Sequence, residues 1–227
     1  IRRNGVLDQV HAALAGRTFL EFEGIEPNPS SETLMQAVEL VRREKINFLL
    51  AVGGGSVIDG TKFVAAAALF EGDPWAILEK RGGNITQALP FGSVLTLPAT
   101  GSEMNNGSVV TRKSLQAKMA FSSNHCYPKF SVLDPATTLT LPVRQVGNGV
   151  VDAFAHVMEQ YLTYPADAPL QDRFAEGILQ TLIEEGPKAL AEPENYAVRA
   201  NIMWSATLAL NGLIGAGVPQ DWATHMV

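Results

Sequence analysis

The chain has 227 residues, 46% hydrophobic and 18% charged, which allows a sizeable core in one large domain or two medium ones. A formal net charge of −6 and a pI near 5.2 give no long-range attraction for phosphate backbones or anionic lipid, so nucleic-acid and membrane partners are not expected. Cys126 is the only cysteine, which excludes an intrachain disulfide, and the longest apolar runs fall far short of the ~20 residues that span a bilayer.

In chain order, Val6 to Leu14 predicts a helix and Thr18 to Phe22 a short strand, bounded by Gly16, Gly24, Pro27 and Pro29. Ser30 and Ser31 are N-cap candidates for a helix ending near Lys45, whose Leu34, Ala37, Val38, Leu40 and Val41 keep the 3.6-residue period. Ile46 to Val52 is almost continuously apolar, as in a strand buried on both faces. The glycine turn Gly53-Gly54-Gly55-Ser56 follows, then an Ala-rich helix from Val57 to Phe70, the order that opens a βαβ nucleotide unit. After the Pro- and Gly-punctuated stretch Glu71 to Pro90, strands are expected at Ser93 to Leu97, Ser108 to Thr111, Lys118 to Phe121 and Phe130 to Leu133. Beyond Asp134-Pro135 and Leu141-Pro142 only helical periodicity remains, at Gln145 to Leu162, Leu170 to Leu190 and Pro193 to Leu210, with a last helix opening at Gln220. The domain boundary therefore falls near residue 140.

Three stretches carry chemistry. Glycines between a strand and a helix let backbone amides approach a phosphate at the positive end of the helix, although a tight βα turn has the same composition. Thr96 to Asn105 puts hydroxyls and an amide just after a strand, where ligands of α/β sheets bind and where polar turns also occur. Asp152 and His156, four apart, share one face of a helix, which suits two ligands of a metal as well as a simple ion pair. Val150, Val151, Ala153, Phe154, Ala155 and Val157 make that helix apolar nearly all round, so both polar groups would sit in a core and need a partner. Asp221-Trp222-Ala223-Thr224-His225 offers a further imidazole. His11 and His125 are expected at the surface, and Cys126, adjacent to His125 in a loop, makes a poor nucleophile pair.

Taken together, Gly-Gly-Gly-Ser-x-x-Asp-Gly-Thr-Lys (Gly53 to Lys62), Pro-Ala-Thr-Gly-Ser-Glu (Pro98 to Glu103), Asp134-Pro135, Asp-x3-His-x2-Glu (Asp152, His156, Glu159) and Asp-Trp-Ala-Thr-His (Asp221 to His225) resemble the iron-containing, or group III, alcohol dehydrogenases. Within that family the branch of bacterial NADPH-dependent aldehyde reductases and butanol dehydrogenases is most similar. The resemblance implies a dehydroquinate synthase-like fold: an α/β dinucleotide-binding domain (1–140) and an all-α metal-binding domain (141–227), facing one cleft. It also implies that the chain is an internal fragment, incomplete at both ends. Asp152, His156 and His225 fall on metal-ligand positions, and a fourth ligand, a histidine, is expected beyond Val227. Gly53, Gly54, Gly55 and Ser56 fall on the pyrophosphate loop, and Asp59, Thr96, Thr100, Ser102, Asn105 and Lys118 on positions around the ribose and nicotinamide. Gly147 stands where the family usually has a larger aliphatic residue.

The implied function is interconversion of aldehydes and primary alcohols by hydride transfer with NADP(H), or alternatively NAD(H), and one divalent metal. One carboxylate with imidazoles suits Fe²⁺ or Zn²⁺. A polyol dehydrogenase or a dehydroquinate synthase-like lyase would use the same fold, and a non-catalytic nucleotide-binding module is the alternative from another class. A homodimer is expected at full length. With no signal peptide visible after Ile1, the expected location is cytoplasmic, although a start at Ile rather than Met leaves room for an upstream segment.

Overall fold

A computed structural model describes residues 4–226. The chain divides into two compact units, residues 1–96 with 106–132 and residues 97–105 with 133–227.

The first unit is α/β. It holds α1 (Val6–Ala13), α2 (Ser31–Arg43), β1 (Leu49–Gly54), α3 (Gly55–Ala67), α4 (Trp75–Glu79), β2 (Phe91–Leu97, ending at the boundary), β3 (Gly107–Arg112), β4 (Ala117–Ser122) and β5 (Ser131–Val132). Helix α2 starts where buried Ser30 accepts a hydrogen bond from the Thr33 amide at 3.3 Å. Its Leu34, Ala37, Val38 and Val41 are buried at helical spacing and join Phe63, Val64, Ala66 and Ala67 of α3 in one core. The small side chains of α3 let it pack closely against α2 and β1. The chain at and just beyond the C-terminal end of α3 is closed from outside the helix: the Arg42 guanidinium donates to the carbonyls of Ala67 (2.6 Å), Ala68 (3.0 Å) and Phe70 (2.8 Å).

Strands β1, β2 and β5 form a sheet in that order. β2 and β5 run parallel with Ser93 opposite Ser131 and Val94 opposite Val132, and the two serine hydroxyls lie 2.7 Å apart. β3 and β4 instead form their own antiparallel pair, with Val110 opposite Met119, and β3 packs on α3. Thr18 to Phe22 forms no strand. It has no ladder partner among the described residues, and Phe19 and Leu20 are exposed. The expected glycine turn is also shorter than its composition suggested. Strand β1 runs through Gly53 and Gly54, and α3 begins at Gly55, so sheet passes into helix without an intervening loop. Helix α4 lies in the punctuated stretch for which no element was expected, and buries Trp75, Ile77 and Leu78.

The second unit is helical. α5 (Val143–Tyr161), α6 (Pro169–Ala191) and α7 (Tyr196–Ala209) pack on one another around Val146, Ala153, Val157, Ile178, Leu182, Ile202 and Ala206. α8 spans Ala223–Met226, opening three residues later than the Gln220 start expected. Asn195 caps α7 by accepting from the Val198 amide at 3.2 Å. Helix α5 is less uniformly buried than its composition implied. Val151 is 67% exposed, and the buried face runs through Val146, Gly149, Ala153, His156, Val157 and Gln160.

Residues 97–105 belong to this helical unit. Glu103 is buried and accepts from the Thr207 hydroxyl at 2.6 Å, and the Asn105 amide donates to the Leu210 carbonyl at 3.2 Å. Gly149 lets α5 approach this loop, because a Cβ there would lie 2.5 Å from the Pro98 carbonyl oxygen. Among the described residues no helix is long and apolar enough to cross a membrane.

Candidate metal centre

Asp152 and His156 occupy successive turns of α5, and α8 carries His225 to the same place. One ligand-type atom from each of the three lies within 4.8 Å of the others. Both Asp152 oxygens turn toward imidazoles. Oδ2 is 3.9 Å from His156 Nδ1 and Oδ1 is 3.5 Å from His225 Nε2. The two imidazoles stack, with centroids 4.3 Å apart and planes inclined by 14°. Metal bonds of about 2.0–2.2 Å at tetrahedral angles put ligand atoms about 3.4 Å apart, comparable with the 3.5 and 3.9 Å from Asp152 to the two rings.

Burial tests the fit further. His156 is 4% exposed, and its Nδ1 has no hydrogen-bond partner among the described residues. A buried ring nitrogen without a partner is costly, and a cation is one way to satisfy it. Burial lowers the pKa of this imidazole, while the Asp152 charge and a hydrogen bond with the Ala99 backbone partly oppose the shift. His156 is thereby held neutral, the form that binds metal. Asp152 is not in the core as expected, since 37% of its side chain is exposed. Its desolvation cost is correspondingly small, and it can contribute charge to the cluster. One oxygen and two nitrogens, without thiolate, suit Fe²⁺ or Zn²⁺.

Glu159 was part of the quoted pattern but had no role assigned. It follows His156 by three residues, is 8% exposed and faces the segment that carries His225. Its Oε2 contacts His225 Nδ1, its Oε1 accepts from the Thr224 amide and from the His225 amide at 3.4 Å, and its carbonyl accepts from the Asp221 amide at 2.9 Å. Burial alone would raise the carboxyl pKa, but the hydrogen bonds from His225 and Thr224 outweigh it and hold the group ionised. The signal available in the sequence was spacing: residues 152, 156 and 159 keep one stripe of a helix. Trp222 was also unassigned. Its ring lies 6.2 Å from that of His156 and 5.8 Å from that of His225, edge-on to both, and its Nε1 donates to Gln220 at 3.0 Å.

The candidate cofactor residues fall into separate groups. Gly53 and Gly54 end β1, Gly55 and Ser56 begin α3, and Gly54 occupies the N-cap with no side-chain hydrogen bond. The first amides of a helix have no partner within it. Ser56 Oγ accepts from the Asn28 amide at 3.3 Å. Asp59 lies one turn further on and anchors β3: its carboxylate accepts from the Val109 amide and its carbonyl from the Ser108 hydroxyl, each at 2.9 Å. Thr96 is buried in β2. Thr100, Ser102 and Asn105 share the loop of the helical unit, where Thr100 accepts from the Ser102 amide and, through its carbonyl, from Asn105, both at 3.4 Å. Lys118 lies exposed on β4 opposite Thr111, in neither group.

The remaining candidates have ordinary settings. His125 is exposed, whereas His11 is half-buried with its Nε2 2.6 Å from Glu21. Cys126 is fully buried, and burial pushes its thiol up to about 11, so it does not supply a thiolate at neutral pH.

The chain thus joins an α/β unit with a glycine-rich helix start to a helical unit bearing a carboxylate and two imidazoles. The sequence model described as iron-containing alcohol dehydrogenase matches residues 1–135 and that of the Fe-containing alcohol dehydrogenase C-terminal region matches residues 147–227, and the chain belongs to this family. It is 67% identical to the NADPH-dependent aldehyde reductase YqhD of Escherichia coli over all of its length and 59% of that protein's. The probable NADH-dependent butanol dehydrogenase 1 of Bacillus subtilis is 47% identical, with the same coverage. The crystal structure of E. coli K-12 YqhD superposes with a TM-score of 0.98 at 67% identity, over 99% of this chain and 58% of that one. The chain thus spans somewhat over half the length of the relatives it matches.

Proposed function

We propose that this chain carries the cofactor turn and most of the metal site of an NADP(H)-dependent enzyme that interconverts aldehydes and primary alcohols, with NAD(H) as the alternative cofactor. The observation that carries the reading is the cluster of Asp152, His156 and His225, with ligand-type atoms within 4.8 Å of one another. A divalent metal held there, Fe²⁺ or Zn²⁺, supplies Lewis acidity to a substrate oxygen that gains negative charge during reduction. NADP(H) supplies or accepts the hydride.

The chain's own residues prepare these steps. The free amides at the start of α3, after Gly53 and Gly54, bind the dinucleotide pyrophosphate. Burial keeps the His156 lone pair available, and the half-exposed Asp152 places a carboxylate beside both rings. Thr100, Ser102 and Asn105, on a loop held by the Glu103–Thr207 hydrogen bond, are part of the proposed cofactor-binding set. Residues 1–140 act as the dinucleotide-binding half and 141–227 as the start of the metal-binding half. A cytoplasmic homodimer is part of the same proposal. The names of the relatives at 67% and 47% identity favour aldehyde and alcohol chemistry over the polyol, lyase and non-catalytic alternatives.

The test is NADPH oxidation with butanal by the protein extended to the length of those relatives. Activity is expected to fall on chelation, to return with Fe²⁺ or Zn²⁺, and to drop by more than 100-fold in Asp152→Ala. Unchanged turnover after complete metal removal would refute the proposal.

A further inference from the structure

Asp152, His156 and His225 do not reach the candidate centre in the same way. Two stand on the long helix α5, while His225 stands on α8, more than sixty residues further along the chain. Glu159 of α5 grips this segment at several points. Its carbonyl takes the Asp221 amide, one carboxylate oxygen takes the amides of Thr224 and His225, and the other meets His225 Nδ1. The first amides of any helix lack partners within it, and here a carboxylate from a neighbouring helix serves them.

The contact at the ring has a chemical consequence. A carboxylate is an acceptor, so the neutral imidazole facing it places its hydrogen on Nδ1. Nε2 then carries the lone pair, and this is the nitrogen 3.5 Å from Asp152 Oδ1. We infer that Glu159 is the positioning residue of the centre: it selects the Nδ1–H tautomer of His225 and fixes the ring so that Nε2 faces the metal. The inference rests on the proposal that Asp152, His156 and His225 hold the metal. A ligand histidine whose second nitrogen is bound to a carboxylate is a common way of orienting the ring, and losing that partner typically costs about 10- to 100-fold in metal affinity.

Glu159→Gln keeps the size of the side chain but removes its charge and half of its acceptor capacity. Two measurements test the role, both on the full chain. Long-range ¹⁵N–¹H NMR of the histidines without metal reads the tautomer directly. His225 is expected as Nδ1–H in the wild type and as a mixture, or as Nε2–H, in Glu159→Gln. Zn²⁺ titration by calorimetry is expected to show affinity weakened about 10- to 100-fold in the variant. An Nε2–H tautomer of His225 in the wild type would overturn the inference without any variant, even if Glu159→Gln failed to fold. Zn²⁺ affinity unchanged in folded Glu159→Gln, with only its thermal stability lowered, would reduce Glu159 to a structural cap and overturn it too. Asp152→Ala in the same titration separates the two proposals. If it binds Zn²⁺ like the wild type, the metal site itself is wrong; if it loses Zn²⁺ while Glu159→Gln does not, only the positioning role fails.

Discussion

Two glycines of α5, two residues apart, have opposite requirements. A Cβ on Gly147 would meet only Leu190, at an ordinary 3.8 Å, whereas one on Gly149 would press on the Pro98 carbonyl at 2.5 Å. Gly147→Ala should therefore raise stability by up to about 1 kcal/mol, because helix-interior glycine is entropically costly. Gly149→Ala should lower it by about 1–3 kcal/mol through overpacking against backbone that has no side chain to move aside. Chemical denaturation of both variants checks the contrast. Acid stability depends in part on Glu26, whose side chain is 27% exposed. Burial would raise its pKa, but hydrogen bonds from Lys113, Ser30 and Thr33 lower it from the ordinary 4.5 to about 2. A carboxyl depressed in the folded state contributes stability that is complete above pH about 4.5 and is lost as pH falls through about 2. Glu26→Gln should cost about 1 kcal/mol at pH 7, allowing for solvent screening, with the difference shrinking toward pH 2.

At the scale of elements, helices were legible where period and caps agreed. α2 has both its Ser30 cap and its Leu34, Ala37, Val38, Val41 stripe, and α5, α6 and α7 fall within a few residues of their expected limits. Thr18 to Phe22 looked like a strand because β propensity describes a surface that fits between neighbours, and no neighbour pairs with it among the described residues. The Arg42 cap on α3 could not be read from sequence, since it joins residues 25 to 28 positions apart. Arg42→Ala should fray the end of α3 and cost about 1 kcal/mol. Arg42→Lys should recover only part of that, because a point-like ammonium cannot match a fork serving three carbonyls. Amide exchange at residues 64–70 is the direct readout.

Across the whole molecule, the candidate site was legible as a list of residues, whereas its arrangement was not. The spacing of Asp152 and His156 predicted a shared helix face, but the encounter with His225 depends on chain far away, and the part played by Glu159 depends on contacts across 65 and 66 residues. The assignment of residues 97–105 to the helical unit bears on how the protein is made. Glu103 and Asn105 leave the ribosome about a hundred residues ahead of their partners Thr207 and Leu210. The helical unit is thus discontinuous in sequence, and during synthesis its first piece must wait, unpaired, for the rest. Closing so long a loop slows folding more than it weakens the product. A segment 133–227 produced alone would leave buried Thr207 without the Glu103 carboxylate, and should bind 1-anilinonaphthalene-8-sulfonate as a loosely packed state. Supplying residues 97–105 on a flexible tether should reduce that dye binding, because the Glu103 carboxylate is then returned to Thr207.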